Sequence, residues 1–241
     1  MTGPRLGFDR DIRRAWLDAA AAIASQRLSS RETQVALMRE LDGQVRGTTP
    51  QSGRGKTVTI LRRIWFAVPP EVESLRDGAM AILPDGDVNE RLALHWAMLL
   101  ATHPFFADAV AVVGRLLALQ GTFERAHVMR RLTERWGDRS TLARAVPRLL
   151  VSLTEWGVLT HVGEQFGPPP PRVLSAPHAA ILLEAGVMAS PGRTASFQTL
   201  AGSPILFPFD AGGGLDQIRR SSRIRLHREG LDVEIVSLAR T

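Results

Sequence analysis

The sequence predicts a mainly α protein: a helical bundle that carries a winged helix-turn-helix-like module and ends in a small α+β module. Three observations carry that expectation. Apolar residues recur at three- and four-residue spacing through most of the first 156 positions. From residue 122 to 166 the pattern becomes helix, short turn, helix, β-hairpin. Beyond four consecutive prolines, 168–171, short β-type runs and glycine turns replace the helical spacing. The expected organisation is an N-terminal helical domain at 1–120, the winged module at 121–167, a proline linker at 168–171 and the α+β module at 172–241.

Residues 9–24 read as the first helix, with Ile12, Trp16, Ala20 and Ile23 on one stripe. Ser29-Ser30-Arg31-Glu32 is a capping box that opens a second helix, whose expected buried stripe is Val35, Met38 and Leu41. Gly43 is its expected stop. A polar, glycine-rich loop covers 47–55, and the next helix is expected from Thr57 through Trp65, ended by Pro69-Pro70. An acidic helix covers 71–82, and residues 84–87 form a turn. Asn89 is the expected cap of a helix apolar nearly all round (Leu92, Trp96, Leu99, Leu100), which therefore belongs in the centre. Pro104 suits the first turn of a helix that runs to Gln120, where Gly121 ends it.

In the winged module, Phe123, Val128, Leu132 and Trp136 form one stripe closed by Gly137. Ser140 can cap a helix over 141–156, with Leu142, Val146, Leu149 and Leu153 inward and Gly157 as its stop. Pro147 lies inside that helix and should bend it or delay its start. Residues 158–162 and 165–166 flank the turn Gly163-Glu164 as a hairpin. In the last module 177–189 is helical, and 205–209, 223–227 and 231–238 are strands, the last two joined by a turn through Gly230.

Positive charge is carried by 29 arginines and one lysine, Lys56, against 24 acidic residues. It is uneven: net +6 over 1–66, −4 over 67–120, and +2 over each of 121–165 and 215–241. Guanidinium groups match phosphate oxygens and guanine edges, so a polyanion is the first partner to consider. The absence of cysteine excludes disulfides, thiolate nucleophiles and cysteine zinc sites. No apolar run approaches the ~18 residues of a membrane span, so a soluble, cytoplasmic protein without a membrane partner is expected.

Catalytic patterns are missing. There is no G-x-S-x-G elbow and no HExxH pair, and the six histidines are scattered. His95 lies on an apolar helix and reads as a core residue. The loop 52–57 resembles a phosphate-binding loop, but Pro50 stands where that motif needs glycine. A non-enzymatic protein with no metal and no cofactor is expected.

The candidate DNA-binding residues fall on two helices and their approaches. Arg144 and Arg148 are i, i+4 neighbours on the outward side of the candidate recognition helix, with Thr141, Ala145 and Ser152 near the same face. Arg139 stands in the preceding turn, and Arg130 and Arg131 on the preceding helix suit phosphate contact. A second group is Arg54 and Lys56, at a helix N-terminus whose N–H groups can grip phosphate, with Arg62 and Arg63 further along. Arg219, Arg220, Arg223 and Arg225 form a third basic group.

The order of residues over 57–165 resembles a known family. A basic helix at 57–68, the run Glu90-Arg91-Leu92-Ala93-Leu94-His95-Trp96, the step His103-Pro104-Phe105-Phe106-Ala107-Asp108 and the ending Trp156-Gly157-Val158-Leu159 are similar to the BrxA family of bacteriophage-exclusion (BREX) defence systems. That resemblance implies a small, helical, non-enzymatic protein that binds double-stranded DNA within an assembly of other defence proteins. The family has also been likened to the RNA-binding antitermination protein NusB. The competing expectations are a protein-interaction scaffold, its arginines meeting acidic partner surfaces, and an RNA-binding protein of antitermination type.

Overall fold

Two helices with no polar face lie against each other at the centre of the protein. In the computed structural model, which describes residues 6–229 and 233–239, these are α5 (Val88–Thr102) and α9 (Ala176–Ala189). Every residue from Leu92 to Leu100 is buried. A helix buried on all sides needs its partners on all sides. α1 (Arg14–Ala24), α2 (Ser30–Glu40) and α3 (Gly53–Trp65) pack on one another, and α1 and α3 also reach α5. α4 (Pro70–Ile82) lies on both central helices, and α6 (Pro104–Gln120) packs back on α5. Trp96 anchors the core: its ring meets Phe106 at 5.0 Å and Phe209 at 5.6 Å, and its indole N–H donates to the Ile205 carbonyl at 2.8 Å.

The second half is built on short strands. β1 (Phe123–Glu124), α7 (Arg125–Trp136), α8 (Ser140–Glu155), β2 (Thr160–Val162) and β3 (Gln165–Gly167) follow in order, and the three strands form an antiparallel sheet ordered β1-β3-β2. β4 (Arg172–Val173) pairs in parallel with β6 (Phe209–Asp210). β5 (Thr194–Ser196) is antiparallel to β8 (Val233–Leu238), which also pairs with β7 (Ile224–Glu229). The short helices α10 (Phe197–Ala201) and α11 (Leu215–Arg219) complete eleven α-helices among the described residues. No single helix among these residues is long and apolar enough to cross a membrane.

Several elements differ from their sequence expectations for local reasons. The first helix begins at Arg14, because residues 6–13 are drawn along the surface of α8. The buried stripe of α2 is Thr33 and Leu37, continued by Leu41, while Val35 is 61% exposed. α3 starts at Gly53, four residues early, since Ser52 Oγ accepts from Gly55 N–H and caps it. The cap of α5 is Asp87, whose carboxylate accepts from Asn89 and Glu90 N–H; Asn89 is already inside the helix. α8 runs through Pro147 without a break. Residues 204–206 form a 3₁₀ turn instead of a strand, and only Phe209–Asp210 pairs. Glu229 still lies in β7, and the expected turn residue Gly230 falls outside the described residues. The prolines 168–171 connect parts of one continuous core, in which Leu92 and Leu149 share a cluster with Leu182 and Val236.

Candidate nucleic-acid interface

The arrangement around α8 begins with how its neighbours hold it. α7 packs on α8 and is itself tied to α6. The Trp136 ring stands edge-on to Phe105 at 5.6 Å, and its indole N–H donates to Asp108 at 3.0 Å. Arg135 meets the same carboxylate at 2.7 Å. Burial raises the Asp108 carboxyl above the usual aspartate range, against the opposing pull of Arg135 and Trp136. A three-residue turn, 137–139, joins α7 to α8; Gly137 takes φ +77, which suits glycine. The β2–β3 hairpin closes the module through Phe166, stacked on Phe123 at 5.4 Å and on His161 at 4.3 Å.

The C-terminal half of α8 is covered by the N-terminal segment. Ile12 N–H donates to Ser152 Oγ at 2.8 Å, and the Trp156 indole N–H donates to the Ile12 carbonyl at 2.8 Å. Asp11 pairs with Arg148 at 2.6 Å, and Arg14 N–H donates to the Glu155 carboxylate at 2.9 Å. Phe8, fully buried, places its ring edge-on to Trp156. The N-terminal half stays open: Ser140, Thr141, Ala143 and Arg144 are exposed.

The sequence-derived residues therefore divide. Thr141 and Arg144 stand together on the open first turns of α8, next to Arg139 in the turn, and Arg130 is exposed on α7. Arg144 and Arg130 have no hydrogen-bond or ion-pair partner among the described residues; Arg139 does have an interaction. Arg131 pairs with Glu134 at 3.4 Å, and Arg148 is held by Asp11. Ala145 and Ser152, expected on the outward face, are buried, since they point toward the core and the N-terminal segment.

The second group does not form the expected phosphate grip. Arg54 turns inward, 9% exposed, where its guanidinium donates to the Val45 carbonyl at 2.9 Å and the Met38 carbonyl at 3.4 Å and pairs with Asp42. The first N–H groups of α3 are already used within the chain: Arg54 N–H donates to the Arg46 carbonyl at 3.1 Å and Gly55 N–H to Ser52 Oγ at 3.2 Å. Arg62 donates to Gln34 at 3.2 Å and Ser30 at 2.6 Å on α2. Lys56 is exposed and Arg63 half-buried. In the third group, Arg219 pairs with Asp216 and Glu234, and Arg223 with the buried Glu184. Ion pairs thus take up Arg54, Arg131, Arg148, Arg219 and Arg223 of these three groups.

A feature that sequence reasoning missed lies beside α8. An apolar groove runs between the start of α7, the C-terminal half of α8 and the hairpin, floored by Met129, Pro147, Val151 and Phe166. Three glutamates, Glu124, Glu155 and Glu164, line it against one arginine, Arg125, and His161. Exposed Val151 at 54% is its surface signature, yet nothing in the spacing of α8 separates it from an ordinary solvent-facing valine. The hairpin 160–167 carries no arginine or lysine. Among the described residues no group of three His, Asp or Glu side chains is placed to hold a metal ion. Comparison with protein-family models, curated proteins and solved structures finds no match to this chain.

Proposed function

We propose that β1 through β3 acts as a winged helix-turn-helix that binds duplex DNA, with the first two turns of α8 entering the major groove. The observation that carries the proposal is the open N-terminal half of α8, where Thr141 and Arg144 follow directly on the Arg139 turn. Readers of this type contact base edges through the start of the second helix. The small neighbours Ser140 and Ala143 permit close approach, and Arg130 on α7 is suited to the phosphate backbone. The sheet order β1-β3-β2 supports the same reading, since it sets the hairpin beside the helix pair. A place in an anti-phage assembly rests on the resemblance of residues 57–165 to the BrxA family.

Fluorescence anisotropy of a labelled random-sequence duplex, titrated at several salt concentrations, tests the proposal. Affinity should fall steeply with salt. Arg144→Ala should weaken binding by about five- to tenfold and flatten the salt dependence by about one ion. Arg148→Ala should change it by less than about threefold, because that guanidinium is already held by Asp11. Binding that ignores salt, or an Arg144→Ala protein that binds like wild type, would sink the assignment. Equal affinity for single-stranded RNA would favour the antitermination alternative.

A second reading has its own support. The acid-walled groove beside α8 suits a basic amphipathic segment of a protein partner. Under that reading Val151→Asp abolishes partner capture and leaves DNA affinity intact.

A further inference from the structure

The end of α6 and the groove beside α8 lie at the same end of the molecule. Trp136, closing α7, meets Phe105 and Asp108 in the first two turns of α6, so the two helices run antiparallel and the end of α6 comes back beside the start of α7. Leu119 precedes Glu124 of the groove by five residues, a span of at most ~18 Å. Three of the seven large hydrophobic side chains exposed among the described residues stand here: Leu119 at 81%, Val162 at 80% and Val151 at 54%. Scattered single apolar residues are ordinary on a surface, whereas a cluster of them marks a contact. Leu119 stands in the last turn of α6, with exposed Arg115 one turn behind it and exposed Ala118 beside it. Arg115 makes no hydrogen bond or ion pair among the described residues, and residues 109–123 carry no acid. The groove is opposite in sign. Its three glutamates outnumber Arg125, and none has an ion-pair partner among the described residues. Glu124 accepts from Gln165 Nε2 and Glu155 from Arg14 N–H, contacts that leave both charges in place.

We propose that this end of the molecule pairs with a second copy of the chain about a two-fold axis, each copy seating Leu119 on the other's Met129, Pro147 and Val151 and bringing Arg115 to its glutamates. The inference rests on the reading of the groove as a protein-docking surface and names its partner. A two-fold contact uses one patch twice, so the patch must complement itself. A patch that holds both an apolar, basic helix end and an apolar, acidic groove meets that condition. An ordinary interface of about 800 Å² per partner is about 30 Å across, wide enough to take in both features. Apolar burial supplies the affinity, and the opposed charges fix the register.

Sedimentation velocity of the full chain from about 1 to 300 μM tests this. The wild type should pass from monomer to dimer in that range and go no further. Leu119→Ser and Val151→Ser should each weaken the dimer at least about tenfold, since the axis removes the contact twice. Mixed in equal amounts, the two variants should pair more tightly than either does alone, because the mixed dimer keeps one intact leucine-in-groove contact. Arg115→Glu should weaken pairing about tenfold at about 0.05 M salt and less at about 0.5 M. Val35→Ser, at an exposed valine on α2, should pair as the wild type does. All four changed side chains are exposed, so the core is untouched in each variant. A monomer throughout, growth beyond the dimer, groove and leucine variants that pair like wild type, or a mixture no tighter than its parts would overturn the proposal. A wild-type monomer whose groove still captures another protein through Val151 would overturn the self-pairing alone and keep the docking reading.

Discussion

Removing the Ser152 hydroxyl should loosen the N-terminal segment from α8. Ser152 Oγ accepts from Ile12 N–H at 2.8 Å, and both residues are 1% exposed. In Ser152→Ala the side chain loses one atom, so the cavity term is small. Alanine's better helix propensity returns about 0.5 kcal/mol. What dominates is a buried N–H left without an acceptor, at about 1–3 kcal/mol. Trp156→Phe removes the donor that serves the Ile12 carbonyl at 2.8 Å and should cost a similar amount, plus the smaller ring. Both changes act on one residue of the segment. The first loosens what the second would have lost, so the double variant should fall short of the sum by about 0.5 kcal/mol or more. Arg148→Ala, which breaks a half-exposed pair with Asp11, should cost less than about 1 kcal/mol. Urea denaturation followed by tryptophan fluorescence measures all four proteins. A loss of about 2 kcal/mol moves the midpoint by roughly 0.7–1 M at a slope of about 2–3 kcal/mol/M. A Ser152→Ala midpoint within about 0.2 M of wild type, or full additivity in the double variant, would refute the reasoning.

Three further outcomes follow from other parts of the core. Burial pushes the His103 imidazole down to about 4 from an ordinary value of 6.5, with the Arg63 charge acting in the same direction. Between those values the unfolded chain takes a proton that the folded chain refuses. Its contribution is therefore intact above pH 6.5 and is lost as pH falls through 4, by about 3 kcal/mol in all. His103→Phe should flatten that part of the profile, measured as denaturation midpoints at pH 7 and pH 4.5. At Gly114 an added methyl would collide with the Pro204 backbone carbonyl, so Gly114→Ala should cost about 1–3 kcal/mol and lower the melting temperature by about 3–10 °C in a circular-dichroism melt. Arg223→Ala leaves the Glu184 carboxylate buried and alone, at a cost of about 3–5 kcal/mol near neutral pH. Burial already raises that carboxyl, and without Arg223 its folded value rises further. The deficit should therefore shrink as pH is lowered and Glu184 takes a proton; a deficit independent of pH would mean that Glu184 is not the cause.

Most of the helices are legible in the sequence because their signals are local. The Ser29–Glu32 capping box, Pro104 at a helix start and Gly121 at a helix end each act within one turn. The apolar surround of α5 announces a central position, since a helix apolar all round is a buried one, whereas the equally central place of α9 is a finding of the structure. The pairing β1-β3-β2 is only half legible: the hairpin shows in its turn, whereas the two-residue β1 is too short to carry a period.

The sequence by itself determines the helical class, the α7–turn–α8–hairpin order and the placement of Thr141 and Arg144 on an outward helix face, because each depends on residues a few positions apart. Tertiary structure alone decides which arginines remain free. Asp11 reaches Arg148 across 137 residues, and Arg54 is turned inward by carbonyls from the preceding helix and loop. Ion pairing and burial depend on distance in space, and the spacing of residues along a chain does not encode which distant carboxylate a guanidinium will meet.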